Sequence, residues 1–439
     1  MYILRNSEVV TAEGLQEVDL FIKDGKIAKI LERGAESEGE EIDCSGKTIL
    51  PGLIDVHVHL RTPGHEYKED WETGSKAAVA GGVTTVCDMP NNNPPILTVG
   101  DLENKRKLIE GKSYVNYGIY MGYDGSNIDE VNAAENVPAV KLYCTHSTGN
   151  MGSPEESFRT LFEKSNKLIV IHAEDHDCVE ERYKKIVAEY EAKGEPVPVQ
   201  EHSNIRASDC AAKSVRDMCK LMEETGARLH VAHTSCALEL EVIEEYKGRG
   251  KLTCEVAPHH LFLSIDDYET LGNYGRMNPP LRTQADTFEM WKALKSGLVD
   301  IVATDHAPHT IEEKEVPYLE APSGVPELDT LLPLMLNVVN DEGMTIEEMV
   351  DRCCTKPAEL FNIQNKGKIA EGFDADIVVV DMDEEKKVQR SGLFTKCGWT
   401  PYEDMVLQGW PVMTFVNGNL VFKDGEFVEG PSGKEAQFS

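Results

Sequence analysis

His57 and His59 stand two residues apart in the apolar run Gly52-Leu53-Ile54-Asp55-Val56-His57-Val58-His59-Leu60. Side chains alternate along a strand, so residues i and i+2 share a face. Two imidazoles side by side at a strand end make half of a metal site; packing is the plainer explanation of a lone His-x-His. Arg61 falls on the same face two residues further on, and Pro63-Gly64 turns the chain out of the strand. Other strand-like runs supply the missing ligands. His172 ends Leu168-Ile169-Val170-Ile171-His172, His233 ends Leu229-His230-Val231-Ala232-His233, and Asp305 follows Ile301-Val302-Ala303-Thr304. Taken alone, Asp305 reads as a turn or helix-cap carboxylate. Four histidines and a carboxylate together suit Zn²⁺ or a similar divalent ion. One ion does not need so many ligands, so the set predicts two.

Lys141 is the odd member, set in Pro138-Ala139-Val140-Lys141-Leu142-Tyr143. A lysine among apolar strand residues is costly to bury unless paired or modified. It either reaches the mouth of the fold, pairs with an acid, or reacts with CO2 to give a carbamate that bridges two metals. The last requires a neutral amine, which desolvation beside cations favours. Glu255 is acidic in an otherwise apolar run and is a candidate contact to a metal, an extra ion or a histidine. His230 lies three residues before His233, which places it on the opposite face, as packing or support. His259 and His260 carry no metal role in this reading.

These residues need elements to position them. Eight β-rich runs (Leu53–His59, Thr84–Asp88, Tyr114–Met121, Ala139–Cys144, Leu168–His172, Arg228–His233, Leu252–Val256 and Val299–Thr304) alternate with amphipathic stretches such as Glu69–Ala80, Ala207–Thr225, Ala237–Tyr246 and Gln284–Lys295. Such alternation predicts an α/β fold, a (β/α)8 TIM-type barrel, whose active site lies at the C-terminal strand ends. An open doubly wound sheet would call for a Gly-rich phosphate loop after the first strand, and none is present. Short strands flank the barrel: Met1–Leu4, Asp19–Ile22, Lys26–Ile30 and Thr48–Leu50 before it, and Lys368-Ile369, Asp376–Val380, Val412–Val416 and Leu420–Phe422 after it. Asp24-Gly25, Asn417-Gly418 and Asp424-Gly425 are hairpin turns, the acidic stretch 36–41 is an exposed loop, and Thr345–Asn362 is helical. The expected domains are a small β-sandwich built from residues 1–51 and 364–439 and a catalytic barrel over 52–363.

Composition narrows the partners. The net charge is −33 with 41% apolar residues, which repels nucleic acid and anionic membranes and leaves enough for a sizeable core. Neither a bilayer-spanning run nor a signal-peptide core is present. The eleven cysteines form no Cys-x-x-Cys pair, which predicts free thiols and a cytoplasmic protein. Cys353-Cys354 reads as two buried helix residues.

The string Asp55-x-His57-x-His59-x-Arg61-x-Pro63-Gly64 resembles the amidohydrolase superfamily and, within it, the dihydroorotase family. So do Asp88-Met89-Pro90-Asn91-Asn92, Val140-Lys141-Leu142-Tyr143, His172-Ala173-Glu174, Cys254-Glu255-Val256-Ala257-Pro258-His259-His260-Leu261, Met277-Asn278-Pro279-Pro280-Leu281-Arg282 and Asp305-His306-Ala307-Pro308-His309. The resemblance covers nearly the whole chain. It implies that His57, His59, Lys141 and Asp305 hold one divalent ion, and that the Lys141 carbamate, His172 and His233 hold a second, with Zn²⁺ the leading candidate. It implies that Arg61, Asn91 and His309 bind a substrate carboxylate and that Asn278 contacts the ring. Without it, Asn91 and Asn278 are turn residues beside prolines. The loop 145–153 is a candidate cover, with Thr148 as its contact. The implied activity is reversible cyclisation of N-carbamoyl-L-aspartate to L-dihydroorotate through a hydroxide between the metals, with Asp305 moving the proton. The partner is then a small molecule, and a homo-oligomer is compatible. The alternatives are a related cyclic amidohydrolase acting on a neutral ring, a non-catalytic scaffold, and a barrel with one structural metal.

Overall fold

The computed structural model describes residues 1–36, 38–144 and 152–438. Eight parallel strands form a barrel, with the third split in two: Leu53–Val58, Val83–Asp88, Asn116–Ile119 with Met121–Gly122, Val140–Tyr143, Ile169–His172, Arg228–Val231, Lys251–Val256 and Ile301–Val302. The first half of the third strand pairs with the second strand and its second half with the fourth. Between the halves, the Tyr120 amide donates to the Asp88 carbonyl at 3.1 Å, and its hydroxyl donates to Val56 O at 2.9 Å. The barrel closes where Val58 pairs in parallel with His306 and the His59 amide donates to His306 O at 2.8 Å.

Apolar patterning builds the wall. The helix Ser208–Thr225 buries Cys210, Ala211, Ser214, Val215, Met218, Cys219 and Met222, a spacing of three and four that lays one face on the barrel. Trp71–Ala80, Val99–Ile109 and Gln284–Ser296 each begin with a reciprocal cap, from Asp70, Thr98 and Thr283. The strands are buried almost throughout and mostly apolar, as parallel strands covered on both sides are, and their polar members such as Asp55, His57, Lys141, His172 and Glu255 are buried within them. Their inward residues Ile54, Val56, Cys87, Val170 and Ile301 pack with Phe361 and Ile363 into a buried apolar floor beneath the strand ends.

Two further sheets lie outside the barrel, one from the first 43 residues and one joining both ends of the chain. One has the order Lys26–Glu32, Val18–Lys23, Tyr2–Arg5, Glu40–Asp43. The other runs Glu426–Phe427, Asn419–Lys423, Val406–Val416, Ile377–Lys387, Thr48–Pro51, Glu8–Thr11, Gly14–Gln16. They share a core of Leu4, Leu20, Ile22, Ile49, Ile377, Val379 and Phe415. Among the described residues, no helix is long and apolar enough to cross a membrane.

Three expectations are corrected here. Cys178 and Cys210 form a disulfide, with Cα atoms 5.6 Å apart, so the thiols are not all free. The fold brings the start of His176–Lys193 against the start of Ser208–Thr225, a closeness that no local motif encodes. The remaining nine cysteines, Cys353 and Cys354 among them, are buried and unpaired. Lys368-Ile369 is not a strand, and the expected acidic loop 36–41 already enters a strand at Glu40, which pairs with Tyr2.

Candidate metal centre

The expected ligands converge at the C-terminal strand ends. His57 lies on the first barrel strand and His59 just past it, and both rings aim Nε2 at Asp305 Oδ1, at 3.2 and 2.9 Å. His172 ends the fifth strand, and its Nδ1 lies 2.9 Å from Nε2 of His233. Ligand atoms of His57, His233 and Asp305 all lie within 4.8 Å of one another. His233 and Asp305 have φ of +36° and +50°, left-handed conformations that turn each side chain inward as its strand ends.

The outward nitrogens show why these rings hold their pose. His57 Nδ1 faces Glu255 Oε1 at 2.5 Å, His59 Nδ1 donates to Asn91 Oδ1 at 2.7 Å, and His172 Nε2 donates to Glu174 Oε2 at 2.8 Å. Oxygen acceptors behind imidazoles orient metal-binding histidines; here the opposite nitrogens of His57 and His59 turn to Asp305 and that of His172 to His233. Glu255 also accepts from His230 Nε2 at 3.0 Å and from the His233 amide at 3.2 Å, so His230 supports the site through Glu255. Lys141 is fully buried, and its Nζ has no hydrogen-bond partner among the described residues. Burial pushes its ammonium down to about 8, against the opposing pull of Glu255 and Asp305. Burial alone would raise the Asp305 carboxyl, but His57 and His59 beside it hold it well below the usual range.

A second group of residues forms the cavity wall. Arg61 is not on the strand face expected for it. The strand stops at Val58, and Arg61 has φ of +63°, so a turn rather than alternation delivers it. Its buried guanidinium donates from Nε to Pro308 O at 3.1 Å and lies 3.2 Å from His309 Nε2. Asn278 Oδ1 is 3.0 Å from His202 Nε2, which keeps the carboxamide at the wall. One cavity is lined by His57, His59, Arg61, Asn91, Lys141, His172, His233, Asn278 and Asp305, together with Tyr143, Ala307, Ser323 and Gly324. His309 lies immediately behind it: a Cβ built on Gly324 would come within 3.1 Å of its ring. Thr148 falls outside the described residues. His259 and His260 pack against each other, His259 beside Glu327 and His260 against the carbonyls of Pro279 and Pro280.

Sequence reasoning assigned no role to Glu174 or Arg206. Glu174 is i+2 from His172, so strand alternation would have found it. Arg206, which grips Glu174 from a distant loop, carried no signal.

The amidohydrolase family pattern matches residues 48–421. The chain belongs to the amidohydrolase family. Members are metal-dependent hydrolases, in keeping with the His and Asp cluster. This amidohydrolase is 36% identical over 437 residues to a dihydroorotase of Halobacterium salinarum, covering 95% of this chain and 99% of that one. It is 37% identical over 441 residues to a dihydroorotase of Listeria welshimeri, covering 97% and 100%. Among solved structures it is similar to an L-hydantoinase (dihydropyrimidinase) from Arthrobacter aurescens, with TM-score 0.94, 29% identity and 99% coverage of each chain. A dihydropyrimidinase from Brevibacillus agri superimposes with TM-score 0.93 at 26% identity, covering 100% of this chain and 98% of that one.

Proposed function

We propose that this amidohydrolase is a dihydroorotase, which interconverts N-carbamoyl-L-aspartate and L-dihydroorotate plus water. The observation that carries the reading is the buried Arg61 guanidinium, beside His309 and at the wall of the same cavity as the His and Asp cluster. A guanidinium grips a carboxylate at two points, and dihydroorotate, unlike dihydrouracil or hydantoin, carries a ring carboxylate. The similarity of the dihydroorotases above supports the same substrate.

The donor set fits two divalent ions. His57, His59 and Asp305 would hold one, and His172 and His233 the other. Lys141 would join them once its neutral amine has added CO2; a buried amine with no partner is the group such a modification would use. Bound Zn²⁺ or a similar cation would polarise the ring amide carbonyl and acidify water. The chain supplies the rest. Glu255, Asn91 and Glu174 fix the three imidazoles through their outward nitrogens. Arg61, Asn91 and His309 hold the carboxylate, and Asn278 meets the ring. Asp305, ionised at neutral pH, accepts the proton of the attacking water and returns it to the leaving ring nitrogen. Residues 52–363 would make up the catalytic unit, with 1–51 and 364–439 as a composite β unit.

The structural likeness to hydantoinases and dihydropyrimidinases keeps neutral-ring hydrolysis as the second reading. Turnover of L-dihydroorotate by the metal-loaded protein, measured beside dihydrouracil, hydantoin and allantoin, separates the two. Selective turnover of dihydroorotate in both directions is expected, and preference for a neutral ring would overturn the assignment.

A further inference from the structure

Arg61 stands at the centre of a turn that its side chain disfavours. The Thr62 amide donates to Leu60 O at 2.8 Å, and Arg61 between them has φ of +63°. This is the rare, strained hand of a three-residue γ-turn. A residue other than glycine keeps such a conformation only where its surroundings over-determine it. Here the backbone is held both before and after Arg61. The Leu60 amide donates to Asp88 Oδ1 at 2.6 Å, and Asn92 Nδ2 donates to Thr62 O at 3.0 Å. The second oxygen of Asp88 and the oxygen of Asn92 meet at one ammonium: Lys105 Nζ donates to Asp88 Oδ2 and, at 2.7 Å, to Asn92 Oδ1.

Lys105 comes from the helix Val99–Ile109, whose buried residues are Leu102, Lys105 and Ile109. That spacing of three and four puts the lysine on the core face, where an apolar residue is the ordinary occupant. Lys105 and Asp88 are both fully buried, and replacing such a pair by apolar residues is often neutral for stability. Its geometry does what an apolar pair cannot. An ionised Asp88 and the Asn92 oxygen can only accept. The ammonium is therefore what joins them, and it keeps the Asn92 amide nitrogen turned to Thr62 O.

We propose that Lys105 is a positioning residue that, through Asp88 and Asn92, locks the turn at Arg61 and so sets where the guanidinium meets a substrate carboxylate. Without the ammonium, the Asn92 carboxamide turns its nitrogen to the Asp88 carboxylate and releases Thr62 O. The carboxylate rests on the dihydroorotase reading; the lock on the turn does not.

The test uses full-length, metal-loaded protein. Lys105→Met leaves the Asp88 charge unpaired, so Asn92→Ala, which keeps the ion pair and cuts the arm to Thr62 O, is measured beside it. The KM for L-dihydroorotate should rise roughly 10- to 100-fold in Lys105→Met and roughly 3- to 10-fold in Asn92→Ala, the scales of a charged and a neutral hydrogen bond. In both, kcat should stay within about threefold, since a contact made alike in ground and transition states moves KM. On an Arg61→Met background, Asn92→Ala should cost less than about twofold further in kcat/KM, because its arm acts only through Arg61. Crystal structures of both variants should show Arg61 Nε moved off Pro308 O, which it meets at 3.1 Å in the native chain. A merely structural cluster would lower the melting temperature and leave KM untouched, which would overturn the proposal. So would an Arg61 in its native place in both variants, or an equal loss from Asn92→Ala with and without Arg61. Should Lys105→Met not fold, Asn92→Ala decides alone. No turnover of dihydroorotate by wild type would sink the substrate assignment, while the crystal structures still read the lock on the turn.

Discussion

Asp305 Oδ1 lies between two imidazole nitrogens, and a neutral amide there could neither take nor return a proton. Asp305→Asn should fold and lose at least ~10³-fold in kcat, within the range of general acid–base contributions; near-native turnover would remove its proton role. Arg61→Met should lower kcat/KM for dihydroorotate by roughly 100-fold, the loss of a two-point charged contact, and spare any carboxylate-free ring. Equal losses on both would refute the carboxylate contact. Glu174 gives a stability test. Burial alone would raise its pKa, but Arg206 and His172 hold it well below the ordinary 4.5. A depressed folded-state pKa gives stability that is complete above the unfolded value and lost as pH falls through the folded one. Melting temperature should therefore drop below about pH 4.5, and Glu174→Gln should start lower at neutral pH yet fall less steeply in acid. Parallel curves would dismiss that linkage. The clustered histidines were legible because they stand in or immediately after apolar runs, whereas Arg206 lies in an irregular loop that only tertiary structure brings to Glu174.

At the scale of elements, the barrel strands were legible from their length and apolarity, and errors cluster where pairing overrides local pattern. Tyr114–Met121 reads as one strand, but its two halves serve different neighbours. The strand Glu40–Asp43 is too polar to be found alone and exists because Tyr2–Arg5 offers it an edge. The Cys178–Cys210 bond, spanning 32 residues of sequence, ties two helices that follow the fifth strand. Restricting a loop of that size stabilises by about 2–4 kcal/mol. Cys178→Ser should lower the melting temperature by several degrees and leave kcat within about twofold, since neither sulfur faces the cavity. An unchanged melting temperature would mean that the bond contributes nothing in solution.

The molecule as a whole is strongly negative, at −33, while the proposed substrate is an anion. Long-range repulsion is screened over about 10 Å at 0.1 M salt, but the buried Arg61 contact is not. Raising ionic strength from low values should therefore increase kcat/KM for dihydroorotate and leave a neutral ring unaffected; a fall for the anion would mean that local positive charge governs capture. The sequence announced this excess of acid but not its distribution, since burial selects which charges act at the site.

The sheet shared by both chain ends sets a timetable for synthesis. Thr48–Pro51 pairs antiparallel with Ile377–Lys387, which a ribosome delivers only after the entire barrel. At 5–20 residues per second, one edge of the early strand stays open for roughly 15 to 65 seconds. Every nascent copy thus carries a sticky, unfinished margin for most of its translation. Neighbouring copies on one messenger could stitch these margins together, so crowded polysomes are where this fold is most exposed to error.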